Sequence, residues 1–389
     1  MNDDNMAVAA AAGFRTIPGC TALVTGSSGI CGARLVEMLL ERGAKTVIGF
    51  DIVPPNPTLM ARFRAAAVQH NLILRCGKED GDLTNPDAVE RAFTSVSGTI
   101  DVVFHVGALV GPFFRPEQYH AVNVLGTRHV IASCQKYHVR KLVFASSPST
   151  RFHGTDIKGL REDQLTIPTT FLAPYAKSKA IAEQDVNDAC KEDHNSLLTV
   201  CISPHQIYGP HDTLFLPNFL RVAGRGQLRI FGGGENLVSV CFVDNYCHGL
   251  LCGADALKPD SPVLKRFYII TDGTPVRVWD QISVAAVHMG FDDLRTKLHL
   301  PVLLLYVIAY LCTLVGYLVG RRFKLSPFNV RMMTIHRYFS LENAKRDLEF
   351  EPVVSFDQGW SLTLEWFEKH WLPGFLQEQA ESKGKSKSS

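Results

Sequence analysis

An α/β fold built on a doubly wound parallel sheet follows from three features of this chain. Short apolar runs alternate with stretches of helical period through the first two hundred or so residues. The runs are apolar throughout, without the polar alternation of a half-exposed strand, which marks strands covered on both faces. The first run leads into a glycine-spaced turn, Thr25-Gly26-Ser27-Ser28-Gly29-Ile30-Cys31-Gly32, of the kind that joins a strand to a helix in such sheets. After about residue 205 the alternation loosens, which predicts a smaller C-terminal lobe over the carboxyl ends of the strands.

The elements follow in order. Thr21-Ala22-Leu23-Val24 reads as a short buried strand, and the glycine turn opens a helix with Leu35, Met38, Leu39 and Leu40 on its apolar side, stopped at Gly43. Val47-Ile48-Gly49-Phe50 is the second strand and ends at Asp51; Leu72-Ile73-Leu74 is the third and leads to Gly81-Asp82-Leu83-Thr84. Asn85-Pro86 starts a helix, because proline suits a first turn. The fourth strand runs from Asp101 to Val106, a long helical region covers roughly 117–138, and the fifth strand, Lys141 to Ala145, ends in Ser146-Ser147. A loop runs to Pro174, where a helix bearing Tyr175 and Lys179 begins, and residues 197–202 form the sixth strand.

The 389 residues suffice for one large domain or two modest ones. We divide them into a flexible leader (1–19), a nucleotide-binding core with interleaved substrate-binding segments (20–275), a C-terminal lobe (276–371) and a polar Lys/Ser tail (372–389). Forty basic residues against 38 acidic ones leave a net charge of +2, which gives no reason for a nucleic-acid partner. Ten cysteines lie without a C-x-x-C pair and read as reduced, buried thiols. Cys241, Cys247, His248 and Cys252 lack zinc spacing and read as core packing, so no metal is expected. The acidic start Met1-Asn2-Asp3-Asp4 argues against a cleaved signal peptide. The run 301–320 carries no charge and is followed by Arg321, Arg322 and Lys324. It is just long enough to cross a bilayer, but the expectation is a segment (300–324) that dips into one leaflet and returns.

Two motifs carry chemistry. The glycine loop lets the backbone approach a pyrophosphate, whose charge the helix N-terminus would hold; Gly26, Ser28, Gly29, Ile30 and Gly32 are the candidate contacts. Asp51 ends the second strand 19 residues after Gly32. A carboxylate there accepts hydrogen bonds from an adenosine ribose and repels a 2′-phosphate, so NAD rather than NADP is expected. Asp82 and Leu83 fall where an adenine would lie. Tyr175 and Lys179 are four residues apart and share a helix face. An ammonium beside a phenol favours the phenolate and lowers its pKa, which suits proton transfer. Ser147, at the same sheet edge, is the candidate for holding a substrate oxygen. Together the motifs point to hydride transfer between a nicotinamide and a hydroxyl or ketone.

These residues resemble the extended short-chain dehydrogenase/reductase superfamily, with a Rossmann-type sheet, from about residue 20 to 371. More narrowly, the chain resembles the 3β-hydroxysteroid dehydrogenase family. The stretches that carry the likeness are 142–147, 154–158, Pro174-Tyr175-Ala176-Lys177-Ser178-Lys179, Pro204-His205-Gln206-Ile207-Tyr208-Gly209-Pro210, 232–238, Phe242-Val243-Asp244-Asn245 and 339–352. The resemblance implies Tyr175 as catalytic acid/base, Lys179 as its partner, Ser147 as third member and Asn123 as a supporting residue. It implies Ala108, Pro204 and His205 as further cofactor neighbours. Three departures stand out: Ser203 where the family usually has Arg, Pro148 and Arg151 after Ser147, and Cys31 in the glycine loop.

The resemblance implies NAD-dependent oxidation of a sterol 3β-hydroxyl, with a 4α-carboxylate lost as CO2. The alternatives are a dehydrogenase that also shifts a ring double bond, a nucleotide-sugar epimerase, and a non-catalytic NAD-binding scaffold. Arg151, with His205 in reserve, is the candidate partner for the substrate carboxylate. Expected partners are the sterol, membrane lipid, a second copy of the chain and other sterol-pathway enzymes. The expected location is the cytosolic face of the endoplasmic-reticulum membrane, matching the terminal Lys385-Ser386-Lys387-Ser388-Ser389, and lipid droplets.

Overall fold

The computed structural model describes residues 16–191, 196–320 and 325–387. Seven strands form one sheet: β1 (Thr21–Thr25), β2 (Thr46–Asp51), β3 (Asn71–Cys76), β4 (Val102–His105), β5 (Lys141–Ala145), then, after a short β6 (Ile157–Leu160) that belongs elsewhere, β7 (Leu198–Pro204). The seventh strand of the sheet is β11 (Phe267–Ile270); around it come four two-residue strands, β8 (Ile207–Tyr208), β9 (Leu237–Val238), β10 (Cys241–Phe242) and β12 (Val276–Arg277). The large sheet runs β11-β7-β5-β4-β1-β2-β3, and every pairing is parallel. Chain order reverses between β1 and β4, which opens the crevice where ligands bind in such sheets.

Alternate residues of each strand serve opposite layers, as the pleat requires. Ala22 and Val24 of β1 join one apolar cluster while Leu23 joins the other; Val143 of β5 faces the first, and Leu142 and Phe144 the second. Helices Ile30–Glu41 and Val243–Ala256 cover one face; Pro86–Phe93, Gly126–Lys136 and Pro174–Ala189 cover the other. Cys241, Cys247 and Cys252 lie in the first layer as packing residues. Local chemistry sets the helix starts: Asn85 accepts from the amides of Asp87 and Ala88 ahead of Pro86.

A second sheet roofs the carboxyl edge. Its order is β12-β9-β13-β6, where β13 is Arg337–Phe339. The roof thus draws β6 from the loop between Ser147 and Tyr175 and β13 from the C-terminal part of the chain. The seventh large-sheet strand, β11, was absent from the sequence reading. Residues after 339 pack back on the core as expected: Asn245 holds the amides of Val353 and Val354 (2.8 and 2.9 Å), and Tyr208 packs against Phe356 and Trp360.

Two C-terminal segments are helical. Most of the polar tail expected at 372–389 forms a helix, Leu372–Lys387, with Phe375 stacked on Trp371 at 4.8 Å. The apolar run is a helix, Val302–Leu318, that buries only Leu305, Ala309 and Gly316. Leu303, Tyr310, Tyr317 and Leu318 are each more than 60 % exposed. Among the described residues no helix is long and apolar enough to cross a membrane. Arg321, Arg322 and Lys324 lie outside the described residues.

Candidate active site

The glycine loop leaves β1 at its carboxyl end. Gly26 has φ +73°, and a Cβ there would come within 2.7 Å of Gly107 Cα; one on Gly32 would come within 2.0 Å of Gly26 O. Only glycine permits this closeness. Helix Ile30–Glu41 begins at Gly29 without a side-chain cap and without an acidic residue in its first turn. Its N-terminal dipole is thus left for an anion. Asp51, at the end of β2, accepts from the Ser28 amide at 2.9 Å and the Val53 amide at 2.8 Å, and Ser28 Oγ donates to Val53 O. Burial raises the Asp51 pKa. The cradle, the uncapped helix and a carboxylate beside it fit a dinucleotide. Leu83 packs under Gly107 and Gly126, Asp82 accepts from Thr84, and Ala108 follows on the β4 side.

A chain of hydrogen bonds links this cradle to the Tyr175 helix. The Gly107 amide donates to Thr25 Oγ1, which lies 2.7 Å from His105 Nδ1; His105 Nε2 lies 2.9 Å from Thr127 Oγ1, which donates to Asn123 O. The two threonines assign the tautomer: Nδ1 accepts and Nε2–H donates. Burial, then the charge on Lys179, pushes His105 down to about 3, so the ring is neutral. Asn123 Oδ1 accepts from the Leu109 amide, and Nδ2 donates to Leu109 O and Ser178 Oγ, which in turn donates to Tyr175 O. Asn123 sits in a π turn, His120–Leu125, between helices Pro116–Tyr119 and Gly126–Lys136; such turns often mark working sites.

Tyr175 and Lys179 occupy the first turns of Pro174–Ala189, with Ser147 just past β5. Burial pushes the Tyr175 phenol up to about 12, against a weaker opposite pull from its hydrogen bond with Ser147. Lys179 is turned away from it: Nζ donates to Ala145 O at 2.5 Å and lies 4.0 Å from the Phe144 ring centroid. Burial lowers its pKa to about 7. The expected lowering of the phenol by the ammonium is therefore absent here: burial raises it, and Lys179 is not among the groups that act on it.

Arg151 also departs from expectation. It is buried rather than facing a cleft, with Nη1 2.8 Å and Nη2 2.5 Å from the two Glu183 oxygens and its guanidinium 3.5 Å from the Phe267 ring centroid. Ser146 Oγ donates to the same Glu183 at 2.6 Å. A guanidinium held this way has no fork left for a substrate. His205 is likewise engaged: Nδ1 meets Ser239 O at 2.6 Å, Nε2 meets Arg337, and the ring packs edge-on against Phe339. Pro204 ends β7 beside it. Sequence reasoning missed Glu183, although it continues the Tyr175, Lys179 face by one more turn, and missed His105 and Arg337, which carry no local motif.

A Rossmann sheet with a glycine cradle at its switch point and a Ser/Tyr/Lys group on the neighbouring edge defines an extended short-chain dehydrogenase/reductase. The chain belongs to the 3-beta hydroxysteroid dehydrogenase/isomerase family, whose model matches residues 23–302. It is 31 % identical over 353 residues to a mouse (Mus musculus) sterol-4-alpha-carboxylate 3-dehydrogenase, decarboxylating, covering 90 % of each chain. It is 32 % identical over 343 residues to a 2-alkyl-3-oxoalkanoate reductase of Stenotrophomonas maltophilia, covering 87 % of this chain and 96 % of that one. Among solved structures, an epimerase from Methanothermobacter thermautotrophicus shares the fold with a TM-score of 0.67 at 21 % identity, covering 95 % of this chain and 96 % of that one.

Proposed function

We propose that this protein is an NAD-dependent sterol 3β-dehydrogenase whose substrate carries a 4α-carboxylate lost as CO2. The observation that carries the reading is the joint placement of Ser147, Tyr175 and Lys179 at the sheet edge beside the glycine cradle. The names of both relatives support the substrate class, since each puts a carboxylate on the carbon next to the reacting one. The broad apolar surface of Val302–Leu318 suits a lipid substrate.

Bound NAD would accept the hydride. The residues 26–32 and the N-terminus of Ile30–Glu41 would hold its pyrophosphate, and Asp51 its ribose. Ser147 Oγ holds the substrate oxygen, and Tyr175 Oη takes its proton. A phenol at about 12 is a poor base at neutral pH, so the filled site has to lower it; displacement of Lys179 Nζ from Ala145 O toward the phenol would do so. The product is a β-keto acid. Its carboxylate carbon–carbon bond breaks, CO2 leaves, and the electron pair passes to the ketone oxygen as an enolate that is then protonated.

The experiment is product analysis with NAD and a 4α-carboxysterol, beside a 3β-hydroxysterol without the carboxylate. NADH, CO2 and a 3-ketosteroid should form in equal amounts from the acid. Tyr175→Phe should retain NAD binding and lose about 10²-fold or more in kcat. NADH formation without CO2, a shifted ring double bond, or near-normal turnover in Tyr175→Phe would each overturn the reading. Our proposal also places the protein on the cytosolic face of the endoplasmic reticulum and on lipid droplets, held through the 300–324 region, as a homodimer among other sterol-pathway enzymes.

A further inference from the structure

The roof sheet contains an arginine without a carboxylate. Arg337 opens β13, in register with Ile157 of β6 and Val238 of β9. Its Nη1 donates to His205 Nε2 at 3.2 Å and its Nη2 to Met332 O at 3.0 Å. Its Nε is buried and bonds nothing among the described residues. No described acidic side chain forms an ion pair with it. Asp156, the carboxylate just before β6, is held by Lys158 at 2.9 Å and by the His336 amide at 3.0 Å. His205 does not supply the missing charge. Its Nδ1–H donates to Ser239 O, its Nε2 accepts from Arg337, and burial keeps the ring neutral. A half-buried guanidinium with an unbonded buried Nε and only neutral acceptors leaves its charge unpaired.

Its position says which anion. His205 directly follows Pro204, the last residue of β7. β7 lies beside β5 with Ala145 opposite Ile202, and the Ser146 amide donates to Ile202 O at 3.0 Å. Ser147 and His205 therefore leave neighbouring strands at the same edge, and Arg337 is one hydrogen bond behind His205. A second cation, Arg331, lies over the Ser147–Tyr175 loop: a Cβ on Gly154 would come within 2.6 Å of its Nη1, and it too makes no ion pair among the described residues. Two arginines without a carboxylate partner among the described residues thus lie on the roof side of this sheet edge.

We propose that Arg337 is the specificity-determining residue that receives the substrate carboxylate through its Nε–Nη edge, making the substrate class a β-hydroxy acid rather than a neutral alcohol. The assignment rests on the dehydrogenase reading above and takes the place of Arg151. Arg337 acts in binding and not in CO2 loss, because a cation on the carboxylate opposes the flow of charge toward the ketone oxygen. Once CO2 has left, the product no longer carries the anion that held it.

The test compares kcat/KM for a 4α-carboxysterol with that for the matching 3β-hydroxysterol lacking the carboxylate, in wild type, Arg337→Gln and Arg337→Lys. Arg337→Gln should lower the acid-to-neutral ratio about tenfold or more, mainly through KM for the acid, since a charge-assisted hydrogen bond is lost. Arg337→Lys keeps the charge but not the fork and should lose a smaller part. Retained NAD affinity in each variant shows that the fold is intact. An unchanged ratio in whichever variant folds overturns the assignment of Arg337. A wild-type enzyme that oxidises the neutral sterol and not the acid overturns the carboxylate substrate itself, and one that oxidises neither overturns the dehydrogenase reading.

Discussion

At the scale of single residues, burial decides most of the site's electrostatics. Lys179 is 3 % exposed, and its pKa falls from 10.5 to about 7. Between those values the unfolded chain binds a proton that the folded chain does not, so stability rises with pH across the window. The contribution is fully present above 10.5 and is lost as pH falls to about 7. Urea unfolding of wild type and Lys179→Met at about pH 6 and about pH 9 measures it. Wild type should gain on the variant at the higher pH, and a pH-independent difference would count against it. The buried Arg151–Glu183 pair gives a second residue-scale expectation. Arg151→Met leaves Glu183 with Ser146 as its remaining side-chain donor and should cost about 3–5 kcal/mol of unfolding free energy. Adding Glu183→Leu should recover much of that loss; a double variant as unstable as the single one would show that packing, not charge, is at stake.

At the scale of elements, the strand–turn–helix unit around the glycine loop depends on contacts between backbones. Gly32→Ala would put a methyl group 2.0 Å from Gly26 O, whereas the same group on Gly29 would meet that oxygen at an ordinary 3.4 Å. Gly32→Ala should therefore lower stability by about 1–3 kcal/mol and weaken NAD binding, and Gly29→Ala should fold nearly as wild type. Thermal unfolding and NAD titration check both, and equal effects at the two positions would contradict the geometry. The Val302–Leu318 helix is an element of another kind. It is apolar all round yet buries only three of its residues, where a helix in a water-soluble fold would show a polar face.

At the scale of the whole molecule, that helix has to be reconciled with a C-terminus that returns to the core. Helix Glu342–Leu348 packs on β11 and on Val243–Ala256, so the chain on both sides of the apolar segment belongs to one body. Both ends of the protein should then lie on one side of a membrane. Tags at Met1 and Ser389 in sealed microsomes should be cleaved together by added protease without detergent. Cleavage of only one tag would mean that the segment crosses the bilayer.

How much could be read from the sequence follows a physical line. The chain by itself determined the α/β class, six of the seven strands, the glycine cradle with Asp51, and the Tyr175–Lys179 face, because each depends on neighbours within a few residues: apolar runs, glycine conformations, helical spacing. The apolar segment and the buried cysteines were legible for the same reason. Only the tertiary structure decided where Arg151 and Arg337 point, since a guanidinium's partner is a matter of which strands are brought side by side. It also decided that β6 and β13, 180 residues apart at Lys158 and Tyr338, pair there in one sheet that roofs the site. Above all it decided the charge state of the site. Spacing brings an ammonium within a turn of a phenol, but desolvation, which no local pattern encodes, sets the pKa of both.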